Sequence, residues 1–549
     1  MSTNVNSFLS AAGPAIDDET LLSPEFARLS HNRKLGILLA ASLIAAVEIA
    51  SRIAINVILP DMQGNVAGDV DEISWVLTLY NMGFICSIAL TPWMTRTFGA
   101  RRHYTICTAL YSVGALGCFL SAHSLTLLLT SRTIMGLGGG FFFVRFVIMG
   151  GLFFQGKARL IPLTLSYAVL FGMQILYPTA MGAICDALHW NYAFLLDLPF
   201  LLVGILLLRW LLPEGHVRRE RWRVEASDYW GAGFLIVALV ALQIATSRGE
   251  RDLWFESPLI NTLFILSIVA FVLFVWWDSR PENALPVLHL RHVFQLPPLR
   301  NAILAAMIVG ALLGAGLYVI PQYLRIVQDY STTQTGEFIS LYSLGFGSGA
   351  MLTLRVFVPR LGPRLSSVVG MILFTATFIA FVYSWTPTTP SYLTGALIGL
   401  QGFAQGMVTI GVANAITGVL GADDIWEGDT TYFFVRQLGN TFGLTAVTIL
   451  FDRRMTFHSS RLLDVANQLD PTTRTTLSSY ADLIARFAGA GSSPQAGALQ
   501  LFQNNVVVQS SLLSYIDISA FLAALCFLGA VTAVMLKPPP SPQAPAIHC

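Results

Sequence analysis

The sequence predicts an all-α membrane protein that crosses the bilayer fourteen times. Hydrophobic residues make up 54% of its 549 residues and charged residues only 11%, against about 25% charged residues in ordinary soluble domains. Apolar runs long enough to cross a hydrocarbon core of about 30 Å recur along the chain. The two parts of the chain also resemble each other, which indicates two parallel six-helix halves with two inserted helices between them.

Fourteen apolar runs, separated by charged or Pro/Gly-rich breaks, mark the predicted helices. They fall near residues 35–59, 73–93, 104–122, 124–151, 160–184, 192–213, 229–247, 258–277, 301–320, 336–358, 365–385, 391–421, 428–451 and 514–536. The predicted organisation is a tail (1–34), an N-terminal six-span half (35–213), a loop (214–228), two inserted spans (229–277), a loop (278–300), a C-terminal six-span half (301–536) with an external loop at 452–513, and a tail (537–549).

The internal repeat has an offset of about 263 residues. INVILP, which ends at Pro60, matches GLYVIP, which ends at Pro321, and FGAR around Gly99 matches LGPR around Gly362. Matches in the same order at a nearly constant offset indicate two halves related by an axis along the membrane normal.

Lysine and arginine residues predict the orientation of the chain. With the N-terminus inside, the inner segments carry nineteen of them and the short outer loops carry three. Because inner loops are enriched in these residues, both termini are expected to be cytoplasmic. No N-x-[ST] glycosylation acceptor is present, which favours a bacterial membrane. The outer loop at 452–513 is expected to be a passive cap with a short helix near Thr475–Phe487.

The first predicted span contains both an acid and a base. Glu48, Arg52 and Asn56 recur at i, i+4 and i+8, so they form one stripe on a helix. Each charge costs about 2.5 to 3.5 kcal/mol near the centre of a membrane helix. Two interpretations follow: the stripe is a proton-coupling and substrate site, or Glu48 and Arg52 only neutralise each other.

Further ionisable residues stand in other spans. Arg132 and Arg145 lie in the fourth, Asp197 near the start of the sixth and Arg436 in the thirteenth. The interior therefore has more bases than acids, which favours anionic or acceptor-rich substrates; alternatively, each base is held by a backbone carbonyl. Glycines that allow close helix packing accompany Arg132, namely Gly136, Gly138, Gly139 and Gly140.

Several classes of function are excluded or disfavoured. A net charge of +1 argues against a nucleic-acid surface. The six cysteines make no CxxC pair, so we expect neither a metal site nor a disulfide framework. No GxxxxGK[ST] motif is present. We therefore expect no enzyme activity and no cofactor, and transport would take its energy from an ion gradient or from the substrate gradient.

Specific motifs give the chain a family resemblance. They are INVILPDM at the end of the first span, PWMTRTFGARR between spans 2 and 3, SRTIMGLGGG in span 4, WNYAFLLDLP at the start of span 6, IPQYLRIVQDYSTTQTG after span 9 and VRQLGNTFG in span 13. Together these resemble the major facilitator superfamily, and within it the fourteen-span drug:proton antiporter group. The resemblance implies the major facilitator fold and a conformational role for the loop residues Arg96, Gly99, Arg101 and Arg102.

The sequence departs from the family pattern at several positions. The acid that the family carries in span 1 falls at Ser51, and Glu48 lies one turn earlier. The glutamine of span 4 is Met135, and the usual acid of the loop is Arg96. Of the antiporter signature G-P-x-x-G-G, the stretch YPTAMG keeps only Pro178 and Gly182, for which the resemblance implies a role in helix packing.

The resemblance implies a secondary active transporter of the bacterial inner membrane. The expected function is proton-coupled export of amphipathic small molecules, drugs or anionic metabolites, by alternating access. Its partners would be the small-molecule substrate, protons and the lipid bilayer. In a host with two membranes they would also include a periplasmic adaptor and an outer-membrane channel. The alternative is a membrane receptor or assembly component of the same fold without transport activity.

Overall fold

A computed structural model describes residues 29–66, 70–154, 160–213, 228–249, 252–280, 297–417, 425–466, 471–487 and 493–536. The predicted tails and the predicted loops at 214–228 and 278–300 lie mostly outside the described residues.

The described residues form fourteen α-helices and no strand. The helices are α1 (His31–Val66), α2 (Val70–Leu120), α3 (Leu125–Phe153), α4 (Leu160–Ala187), α5 (Asp197–Leu211), α6 (Tyr229–Arg248), α7 (Pro258–Asp278), α8 (Pro297–Ile326), α9 (Thr332–Leu352), α10 (Val358–Ser384), α11 (Ser391–Thr417), α12 (Ile425–Val465), α13 (Pro471–Phe487) and α14 (Pro494–Val534). A 3-10 turn, Trp190–Leu196, leads into α5, and a π-helical turn, Thr353–Phe357, joins α9 to α10.

Fourteen membrane crossings can be traced through these helices. Helix α2 makes two of them because it turns sharply at Gly99, whose φ of 74° and ψ of 160° interrupt the helical conformation. Gly362 makes the matching turn near the start of α10, with a φ of 80°. A side chain is strained at such positive φ values, so glycine suits both positions. Helix α13 is polar and does not cross. Among the described residues, eleven segments are long and apolar enough to cross a membrane, and one of them contains both α9 and α10. The shorter apolar helix Trp75–Thr91 in α2 and the helix α12 supply the other two crossings. The predicted all-α fold with fourteen spans is confirmed.

The crossings pack as two groups with an added pair. In the first group, α2 packs closely on α3, and α1 packs on α4 and α5. In the second, α8 packs on α12 and α11 on α9 and α10, while α14 covers α8, α10 and α12. We refer to α1–α5 as the N-terminal half and to α8–α12 with α14 as the C-terminal half. In the added pair, α7 packs on α6, and α6 packs on α2 and also reaches α12.

The predicted external loop at 452–513 contains more helix than expected. Helix α12 continues to Val465, and α14 begins at Pro494. The expected short helix is α13, which starts at Pro471, earlier than predicted, and ends at Phe487 as predicted. The His458 imidazole lies 2.7 Å from Asp517, which joins α12 to α14. Asn505 of α14 donates a 2.5 Å hydrogen bond to the Tyr480 hydroxyl of α13. The segment is therefore a packed helical projection.

The two ends of the bundle are named here by their residues. The Asp61 side contains Asp61 at the end of α1 and Arg325 at the end of α8, and the Gly99 side contains Gly99 and Gly362. Glu48 and Arg52 lie between these ends, in the interior of α1.

Candidate functional site between the two halves

Glu48 and Arg52 form an ion pair inside the bundle. Helical spacing puts them one turn apart, and Arg52 Nε donates to Glu48 Oε1 over 3.0 Å. Glu48 is fully buried, and the Tyr80 hydroxyl donates a 2.8 Å hydrogen bond to the same carboxylate oxygen. Among the described residues, Glu48 Oε2 has no hydrogen-bond donor. One oxygen of this carboxylate therefore accepts both hydrogen bonds, and the other is available for a proton.

Arg52 also connects the two halves. Its Nη1 donates to Gln437 Oε1 of α12 over 3.2 Å, and Gln437 Nε2 donates to Asn81 Oδ1 of α2 over 3.2 Å. The Phe84 ring lies under the guanidinium, 4.8 Å from ring centroid to Cζ. A continuous polar chain thus runs from Glu48 through Arg52 to Gln437 of the C-terminal half and back to Asn81 of α2.

Asp197 organises a second buried cluster in the N-terminal half. The 3-10 turn before α5 places it at the first position of that helix, fully buried. Ser51 Oγ of α1 donates to its Oδ2 over 3.1 Å, and the Tyr177 hydroxyl of α4 donates to its Oδ1. Ser51 occupies the position of the family's span 1 acid. The carboxylate therefore joins α1, α4 and α5 through hydroxyl donors.

Arg132 lies deep in the same half and is also fully buried. Its Nε donates to the Val76 carbonyl over 3.3 Å, and its Cζ lies 4.3 Å from the centroid of the Tyr80 ring. Its Nη2 has no hydrogen-bond partner among the described residues. A backbone carbonyl and an aromatic face thus stabilise the guanidinium charge. This arrangement matches the alternative interpretation of the sequence, in which a backbone carbonyl holds each buried base.

The remaining predicted polar residues are placed less centrally. Asn56 donates from Nδ2 to the Ile53 carbonyl of its own helix over 3.2 Å, so its amide is directed away from the Glu48 chain. Arg145 is buried in α3. Arg101 is half-buried and Arg102 exposed at the Gly99 turn, whereas the side chain of Arg96 lies outside the described side chains.

The glycines of α3 allow very close contact with α2. A Cβ placed on Gly136 would lie 2.2 Å from the Tyr80 carbonyl oxygen, and one on Gly140 would lie 2.2 Å from that of Phe84. A Cβ on Gly138 would lie 2.6 Å from the Cys107 carbonyl oxygen, in the part of α2 that follows Gly99. Helix α3 therefore packs closely on both parts of α2, before and after Gly99. This packing positions the turns of α2 that place Tyr80 beside Glu48 and Phe84 beside Arg52.

Helices α4 and α9 form an extensive contact between the halves. A Cβ on Gly182 would lie 2.5 Å from the Thr332 carbonyl oxygen, and one on Gly336 would lie 2.4 Å from that of Pro178. Pro178 and Gly182, the two residues kept from the antiporter signature, thus lie at a tight contact between halves.

Charged and hydroxyl groups close the Asp61 side. Arg325 Nη2 lies 2.7 Å from Asp61 Oδ1, and Thr332 Oγ1 donates to Asp61 Oδ2 over 2.9 Å. Nearby, Asp186 at the end of α4 accepts hydrogen bonds from the backbone and hydroxyl of Thr333, at 2.7 and 2.6 Å. We call Asp61, Arg325, Thr332, Asp186 and Thr333 the Asp61 clamp. It joins α1 and α4 to α8 and α9.

We expect loss of the clamp charge to favour opening of the Asp61 side. Asp61→Asn removes one charge-assisted contact between partly buried groups, which contributes about 1 to 2 kcal/mol. Exchange of the charges, Asp61→Arg with Arg325→Asp, should restore closure. Thiol labelling of single cysteines placed in the interior measures the opening. Equal labelling in the wild type and in Asp61→Asn would contradict the role of the clamp.

The sequence did not identify several residues that contact Glu48, Arg52 or Asp197 directly or through one hydrogen bond. They are Tyr80, Asn81, Tyr177 and Gln437. They are uncharged, so the cost of burial did not single them out. Gln437 follows Arg436 in the motif VRQLGNTFG, which was the one available signal. Nothing in the spacing of residues pairs position 52 with position 437.

Comparisons with known proteins agree with this architecture. A family model described as Major Facilitator Superfamily matches residues 41–444. The multidrug export protein EmrB of Escherichia coli K12 is 22% identical over 494 residues, which covers 89% of this chain and 93% of EmrB. The probable multidrug resistance protein EmrY of the same strain is 24% identical over 511 residues, covering 92% and 95%.

A solved structure supports the same fold. The POT family transporter PepTSo matches with a TM-score of 0.58 at 13% identity, covering 93% of this chain and all of that one. The predicted major facilitator fold is confirmed by the family model, and the similarity to EmrB and EmrY agrees with the predicted resemblance to the fourteen-span drug:proton antiporter group. Because the family model spans well over half of the sequence, the chain belongs to the Major Facilitator Superfamily.

Proposed function

We propose that this membrane transporter exports amphipathic small molecules in exchange for protons. The observation that carries the proposal is the position of Glu48. It is a buried carboxylate, paired with Arg52, and Arg52 in turn contacts Gln437 of the other half. A carboxylate that gains a proton loses its charge and with it most of its attraction for the arginine. Proton binding at Glu48 would therefore loosen one contact between the halves.

Alternating access follows from the same arrangement. The two six-span halves, 35–213 and 301–536, would move relative to each other around the Glu48 chain, with 229–277 as an inserted pair. The Asp61 clamp closes one side in the conformation described here. A change of charge at Glu48 and opening of the Asp61 clamp would then be parts of one movement between the halves. Coupling of this type requires each ligand to bind the two conformations with different affinity.

We place the Asp61 side outside the cell and both termini in the cytoplasm of a bacterial inner membrane. The support is the distribution of lysine and arginine, nineteen in the inner segments and three in the short outer loops. The helical projection of α12, α13 and α14 would then also lie outside. In a host with two membranes, we propose a periplasmic adaptor and an outer-membrane channel as partners. Affinity isolation from native membranes tests this, and recovery of the chain alone would contradict it.

Transport itself is tested with purified protein in liposomes. Flux of a compound panel is measured with and without an imposed pH gradient, using empty liposomes as the control. Gradient-dependent flux of amphipathic compounds is the expected result. Absence of gradient-dependent flux for every compound would favour the alternative, a receptor or assembly component of the same fold.

A further inference from the structure

Asp197 is a fully buried acid that the Glu48 chain does not use. Its two carboxylate oxygens accept hydrogen bonds from the hydroxyls of Ser51 and Tyr177. Among the described residues, no lysine, arginine or histidine forms an ion pair with it. Hydroxyl donors do not cancel a negative charge, so a charged Asp197 stays only partly compensated inside the bundle. A bound proton would remove this cost.

Arg132 of α3 is the base that acts on Asp197 electrostatically. Its Nε donates to the Val76 carbonyl, and its Cζ lies 4.3 Å from the centroid of the Tyr80 ring. The guanidinium therefore attracts the carboxylate without forming an ion pair with it. Burial favours the neutral acid, whereas the hydroxyl donors and the distant arginine favour the carboxylate. Because these effects oppose each other, Asp197 is able both to gain and to lose a proton.

Asp197 and Glu48 belong to one continuous buried region. Glu48 lies three residues before Ser51 on α1, so the two side chains leave neighbouring positions on one face of the helix. A Cβ placed on Gly139 would lie 3.1 Å from Glu48 Cγ and 3.4 Å from Tyr111 Cε2. The Tyr111 hydroxyl is near Ser51 and Asp197 without reaching hydrogen-bond geometry among the described residues. The Tyr111 side chain therefore extends from one acid to the other.

The two acids have different charged surroundings. The groups that face Asp197 come from four helices; they are Glu48 and Ser51 of α1, Tyr111 and Cys118 of α2, Arg132 of α3 and Tyr177 of α4. Glu48 instead has Arg52 at 3.0 Å and, at longer range, the half-buried Arg436 of α12. Each acid thus has its own base and its own hydroxyl donors, so each is able to hold a proton of its own.

We propose that Asp197 binds a second transported proton, in addition to the proton at Glu48. This inference rests on the proposed function, since it concerns the coupling of the same transporter. On binding, a proton from water adds to one carboxylate oxygen of Asp197, and the reverse step returns it to water on the other side of the membrane. Glu48 keeps its link through Arg52 to Gln437, so the Asp197 proton adds driving force and does not replace the proton at Glu48.

Infrared difference spectroscopy detects this proton without any transport. The carbonyl stretch of a protonated carboxylic acid is separate from the carboxylate stretches, and it shifts in deuterated water when the proton exchanges with solvent. Spectra of the purified full-length protein in lipid nanodiscs are recorded at acid and alkaline pH. We expect Asp197→Asn to remove one exchanging component and Glu48→Gln to remove another. Ser51→Ala removes a donor to the charged form, so the Asp197 component should persist to more alkaline pH.

Accumulation of a transported compound counts the protons. The probe is the compound of the liposome panel with the largest gradient-driven flux, and potassium with valinomycin holds the membrane potential at zero. Each coupled proton multiplies the equilibrium accumulation ratio about tenfold per pH unit. Two protons should therefore give about hundredfold accumulation per pH unit. Asp197→Asn, which keeps the shape and can still hydrogen-bond to both hydroxyls, should give about tenfold.

Asp482→Asn is the matched control, because the same substitution is made at an exposed position of α13. It should accumulate the probe as the wild type does. Size-exclusion profiles identify folded variants. If Asp197→Asn does not fold, the infrared comparison of Ser51→Ala with the wild type keeps the test available, and an acid component that is identical in both proteins would contradict the inference.

Three further results would overturn the inference. They are a carboxylic acid component of Asp197 that is absent or neither titrates nor exchanges, an accumulation ratio that Asp197→Asn leaves unchanged, and complete loss of accumulation in folded Asp197→Asn, which would assign both acids to one proton. Failure of the proposed function is a separate result. Absence of gradient-driven flux from the wild type would contradict export, and the infrared measurement would still show whether Asp197 binds a proton.

Discussion

Glu48→Gln is expected to reduce proton-driven transport to the level of empty liposomes. Glutamine keeps the shape of glutamate and can accept the Tyr80 hydrogen bond, but it cannot carry the charge that Arg52 binds. The protein should remain folded and should still bind substrate. Flux with an imposed pH gradient measures the loss, and equilibrium binding of substrate serves as the internal control.

A double variant separates coupling from structural neutralisation. If the ion pair is only structural, each single change leaves an imperfect buried partner and destabilises the protein. In that case Glu48→Gln with Arg52→Gln should recover expression and transport together, because the two effects would not add. Full proton-coupled transport by this double variant would exclude Glu48 as the coupling site.

Gly136→Ala is expected to cause a large loss of folded protein. The added methyl would lie 2.2 Å from the Tyr80 carbonyl oxygen and 3.1 Å from the Phe84 nitrogen, so the backbone of α2 has to move. Overpacking of this kind costs about 1 to 3 kcal/mol and more where backbone is displaced. The thermal midpoint of the detergent-solubilised protein should fall.

Gly233→Ala of α6 is the matched control for this change. A Cβ at Gly233 meets nothing within 4 Å, and alanine is favoured over glycine in a helix by about 1 kcal/mol. We expect its thermal midpoint to equal or exceed that of the wild type. An unchanged midpoint for Gly136→Ala would mean that α2 and α3 are not held at this distance, and that the position of Tyr80 does not depend on it.

The sequence predicted the fold well because membrane crossing imposes a strong, local pattern. Each span must be apolar over about twenty residues. The motifs that recur in the two halves repeat the same pattern. The external segment was predicted less well. Hydropathy marks only the part of a helix inside lipid, so the continuation of α12 to Val465 and the early start of α14 at Pro494 gave no signal of the same kind.

The candidate site was predicted in part. Glu48, Arg52 and Arg436 were identified because buried charge is costly at any position in a span. Their uncharged partners were not identified, since the cost of burying an amide or a hydroxyl is smaller and such residues are common in membrane helices. The Arg52 to Gln437 contact joins residues 385 positions apart. Such a pairing depends on how the two halves pack, and the spacing of residues along the chain does not predict that packing.

The contact between α4 and α9 has a consequence for how the interior can widen. It extends from Thr164 of α4 and Arg355 of the π-helical turn after α9, 2.8 Å apart near the Gly99 side, to Asp186 and Thr333 at the Asp61 side. Backbone atoms that meet this closely disfavour sliding of α4 along α9, so we expect the halves to rotate about this flank, which would act as a hinge. We then expect the larger separation on the opposite flank, where α6 contacts both α2 and α12. We expect the inserted pair to behave there as a flexible seal that keeps lipid tails out of the polar interior as the opposite flank opens.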